Sequence, residues 1–166
     1  MCQALGMTTL IAARKGADHT DTDSRTPFTQ VLAQSTVLVL CLPRNPETID
    51  TISGPELQAM STETILINVS RGGIVNEEAL LKALKDGALA GCATDVYLRE
   101  PSGAGKCWEE GDSPILNVSQ AEAGAMNLLV TPHVAWYTKA TVDSYLQTLQ
   151  QNILCWLEGK PKNIVV

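Results

Sequence analysis

Short apolar runs alternate with segments of helical pattern along most of the chain. The runs rich in Val, Ile, Leu and Thr that predict buried strands are residues 8–13, 36–42, 64–69, 91–96 and 127–131. The segments that predict helices are residues 54–60, residues 76–87 and a stretch of roughly 20 residues that ends before Gly159 and Pro161. Repeated strand, helix and strand predict right-handed crossovers. We therefore expect an α/β domain with an open, doubly wound parallel sheet.

The helix predicted at residues 76–87 has clear signals at both ends. Asn76 is placed as its N-cap, Glu77 and Glu78 occupy its first turn, and Gly87 ends it. We interpret this polar cluster as helix capping rather than catalysis.

The length of 166 residues is sufficient for one domain with a substantial core, so we expect residues 1–166 to form a single unit. Residues 99–127 contain many Gly, Ser, Glu and Pro and form a longer connection than is usual. Such a loop is typically functional or mobile.

Composition narrows the choice of partner. The chain has 12 basic and 18 acidic residues, a net charge of −6, and its basic residues are scattered rather than clustered. This argues against nucleic acid and anionic membranes and leaves small molecules or proteins. The five cysteines are an odd number without CxxC or metal-type spacing, so we expect no metal site and a reducing compartment. No signal peptide and no long apolar run are recognised, which favours a cytoplasmic location.

Three ionisable residues follow three successive predicted strands. Arg71, Glu100 and His133 should therefore lie at the carboxyl edge of the sheet, where open parallel sheets bind ligands. We expect Gly72 and Gly73 to let a ligand approach the backbone beside Arg71.

The three side chains suit the reduction of a 2-oxo acid. An arginine offers a planar fork of donors to a carboxylate and its neighbouring carbonyl, and a histidine held by a carboxylate transfers a proton near neutral pH. The alternatives on the residues alone are a surface charge for Arg71, a solvated loop residue for Glu100 and a buried, backbone-bonded histidine for His133.

The longer motifs resemble a known family. "LCLPRNPET", "LINVSRGGIVNEEALLKALKDGALAGCATDVYLREP" and "TPHVAW" occur in the order found in the cofactor domain of D-isomer-specific 2-hydroxyacid dehydrogenases. The segments "GMTTLIAARKG" and "TPHVAW" are most similar to the glycerate dehydrogenase or hydroxypyruvate reductase branch.

This resemblance implies a function and a set of site residues. The chain would belong to an oxidoreductase that transfers hydride between NAD(P)H and a small 2-oxo acid such as hydroxypyruvate or glyoxylate. Arg71 would anchor the substrate carboxylate and carbonyl, His133 would protonate the new alkoxide, and Glu100 would pair with His133. The implied cofactor contacts are Arg14, Pro43, Thr48, Val69, Ser70, Arg71, Asp95 at the nicotinamide end, and His133 with the backbone up to Trp136.

The sequence departs from the family where an acidic residue normally binds the adenosine ribose. Ala13 occupies that place and is followed by Arg14 and Lys15. We therefore hypothesise that the site tolerates or prefers NADP; the alternative is a cofactor site that has decayed.

The second departure is the absence of the glycine-rich turn and of the strand before it, since the chain opens at "MCQALGM". We therefore expect a Rossmann-like but incomplete sheet, with a gap of one strand between residues 8–13 and 36–42, no separate substrate domain, and little activity in the isolated chain. Two functions stay open: part of a dehydrogenase that pairs with a complementing amino-terminal half or forms a homodimer, and a non-catalytic protein-interaction module.

Overall fold

A computed structural model describes residues 2–17, 25–101, 107, 109 and 111–164. The chain divides into two compact units, Met1–Pro132 and His133–Val166. The first unit contains the sheet and the second contains one long helix.

Four of the predicted strands form one parallel sheet. They are β1 (Val37–Leu40), β2 (Ile65–Asn68), β3 (Gly91–Thr94) and β4 (Leu128–Val130), and they lie in the order β1-β2-β3-β4. Each lies inside one of the apolar runs identified in the sequence, and every neighbouring pair is parallel. The expected α/β fold with a parallel sheet is confirmed.

Helices precede, connect and follow these strands. They are α1 (Phe28–Gln34), α2 (Gly54–Ala59), α3 (Glu77–Lys85), α4 (Gln120–Ala125) and α5 (Lys139–Leu157), with short 3-10 helices at Cys2–Leu5 and Pro114–Asn117. The most completely buried side chains of the core are Leu32, Ile52, Leu57, Leu66, Ile74 and Leu80. The sequence pattern did not indicate α1, whose seven residues bury only Val31 and Leu32.

The prediction of a strand at residues 8–13 is wrong. Only Ala12 forms a bridge there, in parallel with Thr26. The Thr26 N–H donates to the Ile11 carbonyl and the Ala13 N–H donates to the Thr26 carbonyl, each at 2.8 Å. This segment has the composition of a strand, but a regular ladder needs a neighbour along its length, and in the described part of the chain it has one paired residue.

The second half of the stretch at residues 99–127 is helical. The 3-10 helix Pro114–Asn117 starts after Ser113, whose side chain accepts a hydrogen bond from the Ile115 N–H. The helix α4 starts after Ser119, which forms a capping box with Glu122. Serine caps therefore divide a segment that composition alone presents as one loop.

The second unit is dominated by α5, a helix of 19 residues. Its N-cap is Thr138, whose side chain accepts a hydrogen bond from the Thr141 N–H at 3.1 Å. Across the described residues, no helix combines the length and the apolar character needed to cross a bilayer.

Candidate functional site

The turn after β2 is organised by Asn68, a buried residue that the sequence analysis missed. Its Oδ1 accepts hydrogen bonds from the Ser70 N–H at 3.2 Å and the Ser70 hydroxyl at 2.9 Å. Its Nδ2 donates to the Arg71 carbonyl at 3.2 Å. The sequence does contain a signal for this role, because Asn68 is an amide at the last position of an apolar strand. Asn at such a position commonly forms hydrogen bonds with the backbone of the residues that follow.

This turn places Arg71 at the carboxyl end of β2, as predicted from its position after the strand. Arg71 is exposed, and one terminal nitrogen of its guanidinium donates to the Ser70 carbonyl at 2.6 Å. A guanidinium has five N–H donors. Val69 and Ser70, both implied cofactor contacts, lie in the same turn.

Gly72 does not open the backbone to a ligand, so that part of the prediction is wrong. A Cβ atom at Gly72 would lie 1.5 Å from the Tyr97 carbonyl oxygen, because the protein's own backbone already occupies that space. Gly73 has a φ of +77°, and a Cβ there would lie 3.3 Å from the Arg44 guanidinium. Gly72 therefore allows the turn after β2 to pack against the segment after β3.

That segment also holds Glu100. The Tyr97 N–H donates to Glu100 Oε1 at 2.8 Å, and Glu100 is partly buried. A hydrogen bond from the backbone restricts the orientation of a carboxylate, and therefore the direction from which the carboxylate can bind a histidine. The first unit thus contains Arg71 at the end of β2 and Glu100 beyond the end of β3.

Glu77 connects α3 to this segment, and the interpretation of Glu77 as a capping residue only is wrong. Asn76 does cap the helix, since its Oδ1 accepts from the Ala79 N–H at 2.9 Å. The Glu77 side chain is buried instead, where Oε1 accepts from the Leu98 N–H at 2.6 Å and Oε2 accepts a short hydrogen bond from the Ser113 hydroxyl. No local signal separates Glu77 from Glu78, because its partners are remote in the sequence.

Burial raises the pKa of the Glu77 carboxyl above its ordinary value. The hydrogen bonds from Ser113, Leu98 and Ile115 act in the opposite direction, and the negative charge of Glu100 adds to the increase. Three hydrogen-bond donors, two from the backbone and one from a hydroxyl, therefore partly offset the free-energy cost of burying this carboxyl group.

The ends of β3 and β4 are joined by a second buried network. Asp95 is only 2% exposed, and its Oδ1 accepts from the Thr131 hydroxyl at 2.6 Å. The Tyr97 hydroxyl donates to the Thr131 carbonyl at 2.6 Å. Burial, followed by the charges of Asp95, Glu100 and Glu77, raises the pKa of Tyr97 to about 12, so the phenol remains a donor at neutral pH. The implied contact of Asp95 with a nicotinamide stays a prediction.

Pro43 and Thr48, two further implied cofactor contacts, are joined in the loop after β1. The Thr48 hydroxyl donates to the Pro43 carbonyl at 2.8 Å and accepts from the Asn45 N–H at 2.8 Å. The Asn45 side chain accepts from the Thr48 N–H at 3.0 Å. Asn45 was not singled out in the sequence, although Asn before Pro is a common turn signal.

Arg14 lines an open cavity of about 420 Å³ between the amino-terminal segment, α1 and α2. Its neighbour Lys15 is bound to Glu56 at 2.8 Å and to the Thr51 carbonyl at 3.0 Å. Partial burial raises the pKa of Glu56, but the hydrogen bonds from Lys15 and Ser53 outweigh this and leave it below its ordinary value. Lys15 is thus paired with a carboxylate, and Arg14 is the other cation among the described residues around this cavity.

His133 opens the second unit. It has a φ of +54°, in the left-handed region that is uncommon for residues other than glycine, and its carbonyl accepts from the Trp136 indole N–H at 2.9 Å. The rings of Trp136 and Tyr137 are perpendicular neighbours with centroids 5.4 Å apart. Arg71 and Glu100 lie in the first unit, and His133 lies in the second. That all three side chains share one site stays a prediction.

Comparison with known proteins identifies relatives along the whole chain. Residues 1–135 match the family model described as the D-isomer specific 2-hydroxyacid dehydrogenase, NAD binding domain. The chain is 37% identical to a glycerate dehydrogenase of Methylorubrum extorquens over 163 residues, which are 98% of this chain and 46% of that enzyme. It is 30% identical to a hydroxypyruvate reductase of Blautia hydrogenotrophica, covering 99% of this chain and 48% of the relative.

A solved structure supports the same relationship. The NAD complex of a D-isomer specific 2-hydroxyacid dehydrogenase from Lactobacillus delbrueckii ssp. bulgaricus has a TM-score of 0.70 and 29% identity, with 86% of this chain and 43% of that chain covered. The chain therefore spans about half the length of the curated relatives it matches.

Proposed function

This chain belongs to the D-isomer specific 2-hydroxyacid dehydrogenase family, and we propose that it forms part of an oxidoreductase acting on small 2-hydroxy and 2-oxo acids with NAD or NADP. The single observation that supports the proposal best is the turn after β2. Asn68 fixes its backbone and directs an exposed arginine to the carboxyl edge of a parallel sheet.

The substrate proposal follows from the chemistry of Arg71 and from the names of the relatives. The guanidinium can bind the carboxylate and the neighbouring carbonyl oxygen of one small 2-oxo acid through several donors. Two of the relatives are a glycerate dehydrogenase and a hydroxypyruvate reductase. We therefore propose hydroxypyruvate or glyoxylate as substrate for the complete enzyme.

In this proposal each polar side chain has a distinct role. Arg71 orients the substrate and polarises its carbonyl, His133 donates the proton to the carbonyl oxygen, and Glu100 stabilises the protonated imidazole of His133. The reduced nicotinamide supplies the hydride when it is bound. The bond from the Tyr97 N–H restricts Glu100 to one orientation, which supports a positioning role for that carboxylate.

The residues around Arg14 suit a nucleotide with an additional phosphate. Ala13 leaves no carboxylate to bind ribose hydroxyls at this place, and the ion pair with Glu56 occupies Lys15. Arg14 then provides a cation beside a cavity of about 420 Å³. We propose that the complete enzyme binds NADPH more tightly than NADH, and that Arg14→Ala removes most of the difference; tighter binding of NADH would contradict this.

We also propose a cytoplasmic location. All five cysteines lie in the described part of the chain and each is a free thiol. An odd number of free cysteines, of which Cys2, Cys41 and Cys107 are exposed, is compatible with a reducing compartment.

A hybrid enzyme tests the proposed function. The segment of the M. extorquens glycerate dehydrogenase that aligns with this chain would be replaced by residues 1–166, and the decrease in NADPH or NADH absorbance would be followed with hydroxypyruvate and glyoxylate. We expect reduction of at least one acid. Arg71→Ala and His133→Ala should each reduce kcat/KM by a factor of at least about 100, since each removes an interaction with the reacting groups.

Lys82→Ala is a matched control, because Lys82 is an exposed cation on α3 that forms an ion pair with Asp86, the C-cap of the same helix. It should change kcat/KM by less than about twofold. A folded hybrid that binds cofactor but reduces neither acid would contradict the proposal, and so would full activity of the Arg71→Ala variant.

A further inference from the structure

The peptide bond between Tyr97 and Leu98 is close to both polar side chains that the first unit contributes to the proposed site. Its carbonyl oxygen would lie 1.5 Å from a Cβ atom at Gly72, so the turn that carries Arg71 packs directly against this peptide. The N–H of the same Tyr97 donates to Glu100 Oε1 at 2.8 Å. A movement of this peptide would therefore change the spacing between Arg71 and Glu100.

Glu77 binds this peptide through its N–H group. The carboxylate oxygen Oε1 of Glu77 accepts from the Leu98 N–H at 2.6 Å, and Oε2 accepts a short hydrogen bond from the Ser113 hydroxyl. Glu77 lies in the first turn of α3, a helix that packs into the core through Leu80 and Leu84. The peptide is therefore attached to a rigid element of the fold.

Glu77 is not placed to contact a substrate. Its side chain is in the core, since the residue is only 6% exposed, and both of its carboxylate oxygens accept hydrogen bonds from the protein. Any effect of Glu77 on the reaction must therefore be transmitted by the groups that it binds, of which the Leu98 N–H is the one next to the proposed site.

We propose that Glu77 is a positioning residue, which fixes the peptide between Tyr97 and Leu98 and thereby the spacing between Arg71 and Glu100. The proposal rests on the proposed function, in which Arg71 orients the 2-oxo acid and Glu100 stabilises the protonated imidazole of His133. A displaced Glu100 would stabilise the imidazolium less well, so the reduction should lose rate at a lower pH.

Two conservative variants separate the position of the Glu77 carboxylate from its charge. Glu77→Gln keeps the length of the side chain: its oxygen can accept from the Leu98 N–H and its amide can donate to the Ser113 hydroxyl oxygen, without a negative charge. Glu77→Asp keeps the charge but withdraws the oxygens by one methylene. If Glu77 acts by position, the glutamine variant should resemble the parent and the aspartate variant should be impaired; if it acts by its charge on Glu100, the order should be reversed.

The kinetic test uses the hybrid enzyme, with the 2-oxo acid and the cofactor that the parent hybrid accepts. Glu77→Ala should lower kcat/KM at least about tenfold and should shift its alkaline decline to lower pH by about 0.5 or more, with the cofactor dissociation constant within about twofold. Glu77→Asp should show the same changes at smaller size, which keeps the test available if the alanine variant does not fold. Glu77→Gln should stay within about threefold of the parent and keep its pH profile.

Two variants of α3 provide matched controls. Glu78→Ala removes the neighbouring carboxylate, which is exposed. Ala83→Gly weakens the same helix but leaves the Glu77 carboxylate in place. Both should keep the pH profile of the parent, with kcat/KM within about twofold under conditions in which the variants are folded.

Hydrogen exchange in the full 166-residue chain provides a readout that does not require turnover. The Tyr97 amide proton reports on Glu100, to which it is bonded, and the Cys92 amide proton, bonded to the Asn127 carbonyl, reports on the sheet. Glu77→Ala should raise the ratio of the Tyr97 exchange rate to the Cys92 exchange rate at least about tenfold. Glu77→Gln and Ala83→Gly should leave this ratio within about threefold.

Three outcomes would overturn the proposal. They are an unchanged exchange ratio in Glu77→Ala, a glutamine variant more impaired than the aspartate variant, and a shifted pH profile in Ala83→Gly equal to that in Glu77→Ala, which would assign the change to lost stability. An inactive parent hybrid would instead refute the proposed function, and the exchange ratio would still decide whether Glu77 positions Glu100.

Discussion

The two sides of the sheet differ in how completely their polar groups are paired. At the carboxyl edge of β2 and β3, buried side chains such as Asn68, Glu77 and Asp95 each have specific hydrogen-bond partners. At the outer edge of β1, a groove of about 590 Å³, which we term the β1 groove, lies between residues 7–10 and residues 34–39. The neighbouring residues 8–13 form a single bridge among the described residues. The buried polar side chains of the first region are therefore paired, whereas residues 8–13 form that one bridge.

Arg71 and Glu100 form hydrogen bonds that are local to the carboxyl edge of the sheet. Arg71 is bonded to Asn68 and Ser70, and Glu100 accepts a hydrogen bond from Tyr97, so these contacts lie within the first unit. Substitutions at the carboxyl edge should therefore destabilise the chain strongly, and substitutions of exposed side chains at the groove should have small effects.

The largest effect is expected from Gly72→Ala. The new Cβ would lie 1.5 Å from the Tyr97 carbonyl oxygen and 2.1 Å from its carbon, so one of the two backbone segments must move. We expect the free energy of unfolding in urea to fall by about 3 kcal/mol or more. Gly124→Ala is the control: no heavy atom lies within 4 Å of its Cβ position, so its change should stay below about 1 kcal/mol.

A smaller loss is expected from Glu77→Ala. The change leaves the Leu98 N–H and the Ser113 hydroxyl without their acceptor in a buried site, at a cost of about 2 kcal/mol. Glu77→Gln keeps one acceptor oxygen and should lose less in the same urea titration. Equal stability of the alanine variant and the wild type would show that this network does not support the carboxyl edge.

The raised pKa of Glu77 predicts that the stability of the protein depends on pH. Its pKa is raised in the folded protein, so its contribution to stability is fully present below its ordinary pKa and is lost as the pH rises through the folded value. The wild type should therefore gain stability relative to Glu77→Gln when the pH is lowered from 8 to about 4, near the ordinary pKa of a glutamate. A constant difference between the two proteins across this range would contradict the assigned shift.

The smallest effect is expected in the β1 groove. Leu10 is 40% exposed, so Leu10→Ala should cost about 0.5 kcal/mol or less in the isolated chain. Leu66→Ala in the adjacent strand β2 is the matched comparison, because Leu66 is fully buried and its truncation should cost about 3 kcal/mol. Similar losses of stability for the two variants in thermal and urea unfolding would contradict the different burial of the two side chains.

The sequence was sufficient to predict β1 to β4 because each is a short apolar run between turn signals. Residues 8–13 have the same composition, yet only Ala12 is bridged. The difference is the presence of a neighbouring strand, a tertiary property that local composition does not contain. The helix α1 was missed because seven residues with two buried side chains give too few periods for a clear pattern.

In the candidate site, too, contacts between residues that are distant in the sequence could not be predicted. Arg71 and Glu100 were predicted at the carboxyl edge because they follow strands in the sequence. Glu77 was assigned to capping because its partners, Leu98 and Ser113, lie 21 and 36 residues away. The role of Gly72 was also misjudged, since only the folded structure reveals that Tyr97 fills the space beside it.

The most direct test of the account is the turnover of the purified 166-residue chain with NADPH and hydroxypyruvate, compared with that of the hybrid enzyme at equal concentration. The chain alone should be at least about 100-fold slower, because it spans about half the length of the relatives that it matches. Turnover by the isolated chain at a rate similar to that of the hybrid would contradict it.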